Sequence, residues 1–128
     1  MNRREAREYV MSAAFRIDAM NDFGGDPEKY LDRDELGRQY KYAKDIITKL
    51  LTDIDDVDAA INAVSDGWNT HRMAKADLAI IRVACCEMMV REDVPKAVAI
   101  NEAVELSKKY GSERSGAFIN AVLGKIDG

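Results

Sequence analysis

At 128 residues, with 47% apolar and 33% charged side chains, the chain is long enough to bury one core and has too ordinary a composition for disorder. Its formal net charge of −4 argues against a generally basic nucleic-acid coat, and its only cysteines, the adjacent pair Cys85-Cys86, exclude a disulfide framework and point to the reducing cytoplasm. No apolar run is long enough to span a bilayer, and the early stretch YVMSAAFRID is interrupted by Arg16 and Asp18, which excludes a signal peptide.

With only Pro27 and Pro95 as breakers of this kind, and with Ala, Glu, Lys, Leu, Ile and Met plentiful, the chain is predicted to be an all-α single domain over residues 1–128. From Arg3 to about Asn21, Ala6, Tyr9, Val10, Ala13, Ile17 and Met20 recur at helical spacing. NDFGGDPEKY interrupts that pattern, after which Asp32 or Asp34 is placed to cap a helix with Leu36, Tyr40, Ala43, Ile47 and Leu50 on one stripe. A short turn is expected over Asp53 to Asp58, then a short helix with Val57, Ile61 and Val64, ended by Asp66-Gly67. From Met73 to Val90 few positions are polar, which marks a central helix. Pro95 opens the next helix, with Ala99, Ala103, Leu106 and Tyr110 in line, and Gly111 ends it. Ser112 then offers an N-cap to a last helix bearing Phe118, Ile119, Val122 and Leu123.

Catalytic and metal-binding patterns are absent from the sequence. His71 is the sole histidine, no phosphate-binding glycine loop follows a strand, and no metal-ligand spacing occurs, so neither an enzyme nor a cofactor is expected. Asp55-Asp56 and Glu92-Asp93 read as solvated or capping acids.

The uneven charge is more informative. Residues 1–20 hold four arginines against three acids, whereas residues 21–66 hold six cations against twelve acids. On a helix, Arg3, Arg4 and Arg7 fall within an arc of roughly 100°, beside the apolar stripe, and Phe15 lies about 20° from Arg4. Arg114 and Phe118, four residues apart, share a face of the last helix. Guanidinium groups bind phosphate and aromatic rings stack on unpaired bases, so both pairings suit RNA. The alternative is a solvated helix start pairing with Glu8 and other acids, with Phe15 and Phe118 packed against neighbouring helices. Trp68 is expected to anchor its loop onto the core through its large apolar area. Asp77 is either a helix-start acid stabilised by the dipole or an exposed acid offered to a basic partner.

The segments RREAREYVMSAAF, ADLAIIRVACCEM, VPKAVAINEAVELSKKYG and SERSGAFINAVLGKI together resemble the NusB family of bacterial transcription antitermination factors. The resemblance implies a compact domain of about six to seven helices in two small bundles. It implies binding of boxA in ribosomal RNA leader transcripts together with the ribosomal protein that doubles as NusE, so that RNA polymerase in the elongation complex reads through termination signals. By the same resemblance Arg3, Arg4 and Arg7 occupy the RNA-binding start, Phe118 is the RNA-stacking aromatic, Phe15 lies at the rim shared by RNA and protein partner, and Asp77 lies on the partner-facing surface. A homodimer covering the RNA face is a further possibility within the family.

Three residues depart from the family pattern. Phe15 stands where tyrosine is common, Leu78 where arginine often follows the acid, and Ala121 where glycine is usual. The rival readings are a non-enzymatic helical protein-interaction module with a basic N-terminal face, and the RNA-binding domain of a ribosomal RNA methyltransferase. The latter needs a cofactor-binding α/β domain for which 128 residues leave no room.

Overall fold

The computed structural model describes residues 1–126. Helix α1 spans Arg3–Met20 and begins with a reciprocal capping box: Asn2 accepts from the Glu5 N–H, and Glu5 accepts from the Asn2 N–H. It ends at Asn21, whose left-handed backbone (φ 51°) returns hydrogen bonds to the last turn. Ala6, Val10, Ala13 and Ile17 are buried as their spacing predicts, joined by Met11 and Ala14. Met20 is instead exposed, at the turn where the helix leaves the core.

The single helix predicted after Asp32 is two. Asp32 caps α2 (Arg33–Leu36), then Gly37 adopts φ 55°, and a single 3-10 turn leads into α3 (Tyr40–Thr52). The apolar spacing runs straight through this break, so only the backbone freedom of Gly37 marks it. The turn expected over 53–58 shrinks to Asp53, because Asp55 and Asp56 sit in the first turn of α4 (Ile54–Asn62), where the helix dipole favours acids.

Helices α5 (Lys75–Val90), α6 (Lys96–Tyr110) and α7 (Ser115–Gly124) complete the chain. Ser112 is not the cap of α7. Arg114 holds that position without a side-chain bond, and the Ser112 N–H donates to Ser115 Oγ at 2.8 Å.

Helices α1, α3 and α5 pack against one another, and so do α5, α6 and α7, so the two bundles share α5. Every residue from Asp77 to Glu87 is buried, as a central helix requires, yet Asp77, Arg82 and Glu87 are ionisable. Buried charges need partners. Arg82 finds two: its guanidinium grips both oxygens of Asp58 on α4 (3.0 and 2.8 Å) and reaches Asp18 on α1 (3.3 Å).

Cys85 and Cys86 are fully buried, and burial pushes the Cys85 thiol up to about 11 and that of Cys86 higher still. Neither is expected to react with a thiol reagent in the folded state. Labelling followed against urea should track the unfolding transition, and fast labelling in buffer would show that α5 opens locally.

Candidate nucleic-acid interface

The start of α1 holds its three predicted arginines in three different settings. Arg3 donates to Gln39 (2.7 Å), with its guanidinium 4.2 Å from the centre of the Tyr42 ring. Arg4 makes a two-point contact with Glu102 of α6 (3.1 and 2.9 Å) while its side chain stays 71% exposed. Arg7 is only 7% exposed: its Nε lies 3.0 Å from each oxygen of Glu87, and a second nitrogen meets Glu102 at 3.2 Å.

Of the three arginines expected in a surface patch, Arg4 is exposed, Arg3 is half-buried and Arg7 is buried. The physical reason is position: Arg7 borders the apolar stripe, next to Ala6, and points toward α5 where Glu87 awaits it. Glu87 also accepts from the Tyr42 hydroxyl at 2.7 Å. Burial, with the Glu87 charge second, pushes the Tyr42 phenol far above its usual value, so it stays a donor.

Between α1 and α6 runs a crevice lined by Arg4, Arg7, Glu8, Glu102, Glu105 and Lys109, in which cations and carboxylates balance. Glu8 does not pair with the arginines. It accepts from Lys109 (2.5 Å) and from the Tyr110 hydroxyl, and these bonds hold its carboxyl below the usual carboxylate range.

Phe15 is 43% exposed, about 16 Å along α1 from Arg4 at helical rise and on the same side of the helix. One turn further on, Asp18 pairs with Lys75 (3.3 Å), which brings this part of α1 to the start of α5 and so near Asp77. Asp77 itself is buried, with one carboxylate oxygen lacking a hydrogen-bond partner among the described residues. It stands in the first turn of α5, whose N-cap residue Ala74 offers no side-chain bond, so the helix dipole supplies its stabilisation. Of the two expectations for Asp77, the geometry matches the helix-start acid.

On α7, Arg114 is exposed and has no carboxylate partner among the described residues. Phe118 is half-buried against the core, so one side of its ring is committed to packing. Phe118 and Trp68 meet in a T-shaped arrangement, with centroids 6.5 Å apart and planes at 74°. Trp68 does not anchor its loop in the core as expected: it is 51% exposed, and the Arg72 guanidinium lies 5.1 Å from its ring centre. Ala121 is exposed too, so its methyl group crowds no neighbouring helix.

Sequence reasoning missed Glu87, Glu102, Tyr42 and Arg82. A signal for two of them was present, since an arginine and a glutamate inside an otherwise apolar central helix must find buried partners. Among the described residues no cluster of His, Cys, Asp or Glu is placed to hold a metal, and no helix is long and apolar enough to cross a membrane.

Residues 4–127 match the family model described as "NusB family". The chain is 40% identical over 128 residues to the transcription antitermination protein NusB of Pelotomaculum thermopropionicum, covering 98% of this chain and 89% of that one. It is 41% identical over 130 residues to the NusB protein of Agathobacter rectalis, covering 98% and 99%. Among solved structures, NusB of T. maritima superposes with a TM-score of 0.86 at 29% identity, over 98% of this chain and 89% of the other.

Proposed function

The chain belongs to the NusB family, and from that premise we propose that it is a non-catalytic antitermination factor that binds boxA RNA of ribosomal leader transcripts with NusE and promotes read-through by RNA polymerase. The observation that carries this reading is the family match over nearly the whole chain. The exposed cations on α1 and α7 support it by giving an acidic protein places for phosphate.

In this reading Arg3, Arg4 and Arg114 meet phosphates and Phe118 stacks on a base. Phe15 contacts RNA or partner at their shared rim. Arg7 acts on the RNA from behind, by holding α1 to α5 and sharing Glu102 with Arg4. Asp77, buried at the start of α5, supports the partner-facing surface with its charge. Sequence discrimination comes from splayed bases, since phosphate contacts position RNA without identifying it.

A second reading, a module that binds an acidic protein, is favoured by one observation: the Arg4 guanidinium already holds a carboxylate, that of Glu102. The test is fluorescence anisotropy of a short boxA-like RNA against a scrambled one, with and without NusE. Tighter binding of the boxA-like RNA, strengthened by NusE, is expected. Equal weak binding of both would leave the protein-binding module. Arg4→Ala is expected to weaken RNA binding and to reduce the slope of log affinity against log salt by about 0.7, the share of one single-strand phosphate contact. An unchanged slope would remove Arg4 from the RNA face.

A further inference from the structure

We propose that Trp68 is a second base-stacking residue, forming with Phe118 a two-base platform whose connecting phosphate is met by Arg72. The proposal rests on the RNA-binding reading above and extends it to a loop between α4 and α5 that the α1 and α7 contacts do not include.

The main chain on either side of the indole is tied down. The Trp68 backbone N–H donates to the Ser65 carbonyl at 3.0 Å, and Asp66 and Gly67, both at positive φ, close the turn between them. On the far side, Asn62 accepts from the Thr70 N–H at 2.9 Å, and Asn69 caps the following turn through the His71 N–H. Thr70 and Met73 are buried, so the segment is tied down on both sides of an exposed ring. An indole half in water leaves apolar area unburied that the fold itself does not use.

The two rings differ in plane by 74° and cannot sandwich one base. They can each take one of two neighbouring bases turned apart, which is how unpaired RNA bases are commonly read. Charge narrows the ligand to an anion. Arg72, over the Trp68 ring, and Arg114, four residues before Phe118, are among the six arginines without a carboxylate partner among the described residues, whereas Arg4, Arg7, Arg82 and Arg91 are paired. A flat and anionic ligand satisfies rings and guanidinium groups together, and a nucleotide is both.

Trp68 is the sole tryptophan, so its emission reports this spot alone. The folded protein is titrated with the boxA-like RNA while anisotropy of labelled RNA and tryptophan emission are followed together. The expected result is quenching of Trp68 with the same midpoint as the anisotropy, and an affinity about 5- to 150-fold lower for Trp68→Ala, the range for loss of one stacked base. Trp68→Phe, which keeps a ring, is expected to retain most of the affinity and guards against a folding defect in the alanine variant. If anisotropy reports binding while emission stays flat and Trp68→Ala binds like the parent, the platform is wrong and the RNA-binding reading stands. If NusE without RNA changes the emission and RNA does not, the ring is a protein contact and the proposal falls. If no RNA binds at all, both fall together.

Discussion

Glu87→Ala is expected to lower the unfolding free energy by about 3–5 kcal/mol, the cost of leaving a buried charge without its partner. Glu87 is 1% exposed and accepts from Arg7 and from the Tyr42 hydroxyl, so its removal orphans a guanidinium and a phenol together. Glu102 remains at 3.2 Å from Arg7 and tempers the loss. Urea denaturation followed by circular dichroism measures it. The double variant Arg7→Met with Glu87→Leu should recover most of the stability, because an apolar pair of similar volume avoids desolvating either charge. That variant also separates two roles for Arg7. If Arg7 only positions α1, RNA affinity returns with the fold; if it touches phosphate, affinity stays low in a stable protein.

Phe118→Ala should weaken binding of the boxA-like RNA about 5- to 150-fold, the range for one stacked base. The half-buried ring also packs on the core, so some stability goes with it, on the order of half the 3–5 kcal/mol of a fully buried phenylalanine. Phe118→Leu distinguishes the two effects by keeping apolar volume while removing the aromatic face. Its melting temperature should stay near that of the parent while its RNA affinity falls. Parental affinity in a folded Phe118→Leu protein would confine Phe118 to packing.

The helices were legible because apolar residues recur at helical spacing wherever a helix meets the core. Gly37 escaped because Leu36 and Tyr40 keep that spacing across a break made by backbone conformation alone. The candidate site was legible where its chemistry is local, as in Arg114 and Phe118, four residues apart. It was not legible at Arg7, whose burial is decided by Glu87 and Glu102 on helices distant in sequence. Trp68 misled for a different reason: ring area predicts burial only if the fold offers a place for it, and here half of the ring meets water.

The sharing of α5 between the two bundles sets an order on the protein's birth. Helices α1, α3 and α4 reach the ribosome exit before α5, the surface they pack on, has been made, and Arg7 has no buried carboxylate until Glu87 and Glu102 follow. A nascent chain therefore cannot hold its arginine start in place until most of it is synthesised. In the finished molecule the same arrangement makes the α5 amide protons slow to exchange with solvent, because neither bundle can open around them without unmaking the other.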